Sequence, residues 1–158
     1  MRTDVQLEVN GQHRSLSVAT SKTLAEVIRE DLYLTGCRIA CDGEVCGACT
    51  VLVDGAPMAA CATLAFQTDG SRIETIEGLS QGSDLHPIQQ AFLEADAFQC
   101  GFCTAGFVLS VKALLAAHPE PDEATIRDWL KSNVCRCTGY NTILAATRLA
   151  AARLKALA

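Results

Sequence analysis

Cysteine is the residue type with the most chemistry to offer in this chain: nine of the 158 residues are Cys, and they are unevenly spaced. Cys41-Asp42-Gly43-Glu44-Val45-Cys46-Gly47-Ala48-Cys49 places three thiols in one glycine-containing loop, and Cys61 follows. The spacing C-x4-C-x2-C…C is the plant-type arrangement for a [2Fe–2S] cluster, in which four thiolates hold two irons. A second quartet is spread over two segments, Gln99-Cys100-Gly101-Phe102-Cys103 and Cys135-Arg136-Cys137. By itself the second pattern is also open to zinc, although one intervening residue crowds two ligands on a tetrahedral ion. Eight cysteines thus fall into two groups of four, and Cys37 is left over.

The rest of the composition favours a metal role for these thiols. Residues 1–9 alternate apolar and polar side chains without the apolar core of an export signal. A cytoplasmic protein is therefore expected, and reducing compartments keep thiols free for metal or redox chemistry. No apolar run reaches the roughly 18 residues needed to span a bilayer. The net charge is −5 and the thirteen basic residues are dispersed, which argues against nucleic acid as a partner.

The elements that must position the thiols can be read from periodicity. Asp4 to Val9 and His13 to Val18 alternate around Asn10-Gly11, a hairpin signal. Thr23 can cap a helix carrying Leu24, Val27, Ile28 and Leu32, with Glu26 completing a capping box. Thr50 to Val53 reads as a strand ended by Asp54-Gly55, Pro57 to Cys61 as the return strand delivering the fourth thiol, and Arg72 to Ile76 as a last strand. Composition changes near residues 78–83, and the remainder reads as helix. Asp84 or His86 can start a helix with Pro87 in its first turn and Ile88, Phe92 and Ala95 on one face. Phe107, Val108, Val111, Leu114 and Leu115 mark the next, Asp122 caps a third with Ile126, Trp129 and Leu130 inward, and Tyr140 to Leu157 forms a fourth with Ile143, Thr147, Ala150, Leu154 and Leu157 inward. Four helices with short connections make an antiparallel bundle. The expected class is α+β, with domains at 1–79 and 80–158.

With these elements in place, three signatures in order carry a resemblance: Cys41-x4-Cys46-Gly47-Ala48-Cys49-Thr50…Cys61, Gln99-Cys100-Gly101-Phe102-Cys103-Thr104, and Asn133-Val134-Cys135-Arg136-Cys137-Thr138-Gly139-Tyr140. Together they resemble the small iron–sulfur subunit of the xanthine oxidase family of molybdenum hydroxylases, over nearly the whole chain. The resemblance implies an N-terminal β-grasp ferredoxin-like domain, a C-terminal four-helix bundle, and one [2Fe–2S] cluster in each. Cys100, Cys103, Cys135 and Cys137 would hold a cluster proximal to molybdopterin in a large partner subunit. Cys41, Cys46, Cys49 and Cys61 would hold the distal one, facing FAD in a medium subunit or an equivalent acceptor. Gln99 matches a glutamine that bonds the pterin, and Cys137 the ligand nearest the pterin amino group. The implied function is electron transfer without a catalytic residue in this chain.

Three positions depart from the family pattern. Cys37 stands where relatives usually have a residue such as Thr, so it is expected to be an inert, partly buried thiol. Ala40 replaces a glycine before the first ligand, where a glycine could reach positive φ at no steric cost. Ala105 replaces a proline early in a helix. The competing readings are a free-standing two-cluster ferredoxin-like carrier and a zinc-stabilised interaction domain.

Overall fold

The computed structural model describes residues 1–157, and its elements follow the hydrophobic pattern closely. Strands β1 (Arg2–Val9) and β2 (Gln12–Ala19) form the expected hairpin. Asn10 and Gly11 turn it at φ +50° and +76°, the left-handed pair that matches strand twist. A short helical turn, α1 (Leu24–Glu26), follows under the capping box, with the Thr23 side chain accepting the Glu26 N–H. Then come β3 (Thr50–Val53), β4 (Ala56–Ala59) and β5 (Arg72–Glu74). The sheet is mixed, in the order β2-β1-β5-β3-β4, with β1 parallel to β5 and the other pairs antiparallel.

Four helices complete the chain: α2 (Pro87–Glu94), α3 (Thr104–Ala117), α4 (Glu123–Trp129) and α5 (Asn141–Leu157). Residues from all four, including Ile88, Phe92, Phe107, Val111, Leu114, Ile126, Ile143 and Ala150, share one core. A second core lies under the sheet, where Leu7, Val9, Leu24, Ile28, Val51 and Ile73 meet Cys37, Cys49 and Cys61. The chain is α+β, a mixed sheet plus helices.

Every residue of β3 is buried, although a strand with one wet face should alternate. The reason is that both faces are covered. Val51 and Val53 point into the sheet core. Leu52 packs on Leu109 and Ala113 of α3, with Trp129 at the edge. Trp129 donates its Nε1–H to the Ser110 carbonyl at 3.1 Å, so it seals this seam while also packing against the helical core. Gly106 makes the seam possible. A Cβ there would land inside the contact distance of the Gly47 carbonyl oxygen, so only glycine lets α3 approach the cysteine loop this closely.

Several expectations are corrected. The α-helical turn after Thr23 ends at Glu26, and residues Val27–Asp31 widen into a π-helical turn that leaves Leu32 only partly buried. The return strand stops at Ala59, so Cys61 is delivered by the turn beyond it. The last strand ends at Glu74, because the Thr75 N–H leaves the ladder to donate to Oδ1 of the Asn10 side chain at 2.9 Å. Leu157 is 73% exposed, since α5 outruns the helices it packs against. Ala40 has no positive φ; the left-handed positions in the loop are instead Asp42 at +50°, Glu44 at +59° and Gly47 at +66°.

Candidate metal centres

The loop after α1 carries Cys41, Cys46 and Cys49 around a tight, exposed turn. Its amides converge on Cys41: the N–H groups of Val45 and Cys46 both donate to Cys41 Sγ at 3.4 Å. These donors, led by the Cys46 amide, pull the Cys41 thiol down to about 6. The Cys46 thiol is close enough to Cys41 to share a hydrogen bond as well. Cys49 and Cys61 form a second pair on the inner side, both buried under the sheet. Burial, the largest influence, pushes Cys49 up to about 12.

The second quartet is assembled from helix ends. Cys103 is the residue before the first turn of α3, and Cys135 and Cys137 lie in the connection between α4 and α5. Cys100 and Cys137 meet at an Sγ–Sγ distance of 3.6 Å on the exposed side. That contact, first among the influences, raises Cys137 above its ordinary value. Cys103 and Cys135 pair on the inner side, and burial drives Cys103 up to about 12. Burial also acts most strongly on Cys135, but its donors prevail and hold it below the ordinary thiol range. Those donors are Thr138, whose N–H and O–H reach Cys135 Sγ at 3.4 and 3.1 Å.

Cys100 and Cys137 are thus in direct contact, while Cys41 with Cys46, Cys49 with Cys61 and Cys103 with Cys135 are near enough to shift one another's acidity. Two thiolates on one tetrahedral ion, with metal–sulfur bonds of about 2.3 Å, lie about 3.8 Å apart. The 3.6 Å between Cys100 and Cys137 matches that spacing. Twos of thiols with amide and hydroxyl donors aimed at sulfur fit a cluster of two irons, where each iron takes two cysteines.

Gln99 is exposed beside Cys100 and donates its Nε2–H to the Cys137 carbonyl at 3.1 Å. This bond ties the Gln99 amide to the second thiol loop. Cys37 is 3% exposed and donates from sulfur to the Cys49 carbonyl at 3.5 Å, so the surplus thiol belongs to the core. His13 and His118 lie on the surface, and His86 caps α2.

The residues flanking the second quartet have roles that their local sequence does not reveal. Tyr140 takes the Cys135 N–H on its hydroxyl at 3.0 Å and packs edge-on against Phe107, tying the thiol loop to the core. Asn133 reaches the Gly47 carbonyl at 2.9 Å, and the Val134 N–H donates to the Cys46 carbonyl at 2.8 Å, so the two thiol loops are hydrogen-bonded to each other. The partner of Asn133 lies 86 residues away, out of reach of any local pattern.

Comparison with known proteins agrees with this geometry. Residues 75–148 match the [2Fe-2S] binding domain family, and residues 7–94 match the 2Fe-2S iron-sulfur cluster binding domain family. The nicotine 6-hydroxylase small subunit of Paenarthrobacter nicotinovorans is 49% identical over 92% of this chain and 87% of its own length. The nicotinate dehydrogenase small FeS subunit of Eubacterium barkeri is 44% identical over 94% of this chain and 95% of its own. The crystal structure of quinoline 2-oxidoreductase from Pseudomonas putida 86 superposes with a TM-score of 0.94 at 43% identity, covering 98% of this chain and 97% of the matched one. The chain belongs to the [2Fe–2S] small subunits of the xanthine oxidase family of molybdenum hydroxylases, the non-catalytic electron-transfer chains of those enzymes.

Proposed function

We propose that this chain holds two [2Fe–2S] clusters and relays electrons from molybdopterin in a large partner subunit to FAD in a medium subunit. When bound, such clusters take up and release single electrons at potentials set by sulfur hydrogen bonds, burial and nearby charge. The observation that carries the reading is the geometry at sulfur: Cys100 and Cys137 lie 3.6 Å apart, and amide or hydroxyl donors aim at Cys41 in one quartet and at Cys135 in the other. Cys41, Cys46, Cys49 and Cys61 would hold the distal cluster, within a β-grasp ferredoxin-like domain of residues 1–79. Cys100, Cys103, Cys135 and Cys137 would hold the proximal cluster, within a four-helix bundle domain of residues 80–158.

The chain's own residues supply the rest. The Cys41 amide cradle and the Thr138 donors stabilise thiolate over thiol at the two loops. Exposed Phe98 and Phe102 flank Cys100 in the chain and exposed Val134 precedes Cys135, apolar side chains that would exclude water where a large subunit covers them. Gln99 would present Oε1 to the pterin while its Nε2 stays on the Cys137 carbonyl. The names of the relatives place N-heteroaromatic compounds and aldehydes among the substrates of such complexes.

Metal analysis and electron paramagnetic resonance (EPR) of the natively purified protein test the reading. About four irons per chain, two distinct [2Fe–2S] signals and co-purifying molybdenum and flavin subunits are expected. A monomeric preparation with both signals and no partner would favour a free-standing carrier, and bound zinc would overturn the assignment.

A further inference from the structure

Between the two thiol quartets lies a buried polar network that no cysteine side chain enters. Its centre is Asn133, only 2% exposed. Its Nδ2 donates to the Gly47 carbonyl at 2.9 Å and faces Thr50 Oγ1 at 3.4 Å. Its Oδ1 accepts from the hydroxyls of Ser110 at 2.7 Å and Ser132 at 3.1 Å. Thr50 adds a second donor to the same Gly47 carbonyl at 2.7 Å. One amide therefore ties together the cysteine loop, the edge of β3, the middle of α3 and the end of α4. Only Asn or Gln carries both a donor pair and an acceptor on one planar group, and Gln is longer by a methylene.

The residues on either side of this network matter more than the network itself. Gly47 follows Cys46, and Val134 stands between Asn133 and Cys135. The Val134 N–H donates to the Cys46 carbonyl at 2.8 Å. A path of covalent bonds and one hydrogen bond thus runs from Cys46 of one quartet, through its carbonyl and the Val134 amide, to Cys135 of the other. Asn133 pins the residues adjoining that hydrogen bond on both loops. Gly106, admitting the Gly47 carbonyl without a Cβ, holds the loop from behind.

We propose that Asn133 is the positioning residue for electron transfer between the two clusters: it fixes the register of the two thiol loops so that the Val134–Cys46 hydrogen bond links them. The inference rests on the reading that both quartets hold [2Fe–2S] clusters. In the step, one electron leaves the reduced proximal cluster and reduces the oxidised distal one. No bond forms or breaks and no proton moves. The electron originates in the molybdenum subunit, or in a photoreductant in the test.

Two variants of the holoprotein separate positioning from folding. Asn133→Asp keeps the size and the acceptor for Ser110 and Ser132 but removes the donor to Gly47. Val134→Pro removes the bridging N–H itself. Asn133 already lies at φ −120°, ψ 130°, the region a residue before proline adopts, and the Val134 side chain is 45% exposed. Each variant is reduced by a laser flash to one electron per chain, and the equilibration of the two EPR signals is timed; the splitting between the signals is then recorded in fully reduced samples. Both variants are expected to keep about four irons and both signals, to equilibrate roughly tenfold or more slowly, and to show a narrowed splitting. Unchanged equilibration in Val134→Pro would overturn the proposal. So would loss of a cluster from both variants, since the network would then hold metal rather than position it. Absence of two signals from the unaltered protein would instead sink the cluster reading.

Discussion

The two thiol quartets solve one chemical problem by different means. In the first, a single loop brings three thiols and its own amide donors, and these donors fall on the outer pair, at Cys41. In the second, two helix connections meet, and the donors fall on the inner pair, at Cys135. Each quartet nonetheless has an inner twosome and an outer, more exposed one. The contrast teaches that sulfur needs donors wherever it is asked to be a thiolate, and that local sequence can supply them only when the ligands are near neighbours.

The sharpest way to break the comparison is to remove one ligand from each quartet. Cys46→Ser and Cys137→Ser should each lower iron from about four to about two per chain and erase a different EPR signal. If either change erased both signals, the quartets would be one assembly rather than two. Electron flow through the complex should stop in both cases, which turnover with an artificial acceptor would divide: a dye able to take electrons ahead of the distal cluster should rescue Cys46→Ser alone.

Next in size is the seam that holds the quartets together. Gly106→Ala puts a methyl group against the Gly47 carbonyl backbone, which cannot swing aside as a side chain would. Overpacking of this kind costs about 1–3 kcal/mol, measurable as a lower midpoint in urea. The same change at Gly43, where the nearest atom to a Cβ would be the Cys41 carbonyl oxygen at 3.6 Å, should do far less.

A smaller effect distinguishes the helical half by pH. His86 caps α2, its Nδ1 accepting the Ile88 N–H at 3.2 Å. Burial, followed by the Lys112 charge, lowers its pKa below the ordinary 6.5, while the Glu74 carboxylate opposes the shift. Protonation would convert the acceptor into a donor and break the cap. Because the unfolded chain takes up this proton more readily than the folded one, stability should fall as pH drops through 6.5 towards the folded value. His86→Asn keeps a capping acceptor without titrating, and should flatten that slope by about 1 kcal/mol in melts between acid and neutral pH. An unaltered slope would remove His86 from the account.

Much of this architecture is legible in local patterns. The hairpin at Asn10-Gly11, the capping box at Thr23 and the caps at His86 and Asp122 are all determined within a few residues, and the structure reproduces them. The eight cysteines are legible as candidate ligands because metal-binding thiols come in counted, spaced groups. What the sequence conceals is tertiary. Nothing local says that β3 is covered on both faces, that Trp129 belongs to the seam between sheet and helices, or that Asn133 reaches back to Gly47. The π-helical turn at Val27–Asp31 is likewise set by packing, since Val27 and Ile28 are drawn fully into two different parts of the sheet core.

Ala105 permits a gentler test of the second quartet. It occupies the second position of α3, where the N–H has no carbonyl of its own helix to bond. Ala105→Pro should therefore leave both clusters intact and raise the melting temperature, by about 0.4–1 kcal/mol of restricted unfolded chain. A lower melting temperature would mean that this amide does have a partner, with the Cys103 sulfur the first to examine.

The smallest expected effect separates ligand thiols from the ninth. Cys37 sits beside Cys49 and Cys61 in the same core, yet its hydrogen bond goes to a backbone carbonyl. Burial, the largest influence, pushes it up to about 12, so at pH 8 it stays a thiol and a poor nucleophile. Cys37→Thr preserves a donor to the Cys49 carbonyl in a similar volume, and stability should move by less than about 1 kcal/mol with both EPR signals unchanged. In the unaltered protein, iodoacetamide should leave Cys37 unlabelled until the fold opens, which mass mapping of native and denatured samples would read directly. Rapid labelling in the native state would place Cys37 in an exposed loop with Cys41. Loss of the distal signal in Cys37→Thr would make it a fifth member of the first quartet, and the symmetry of two fours would be gone.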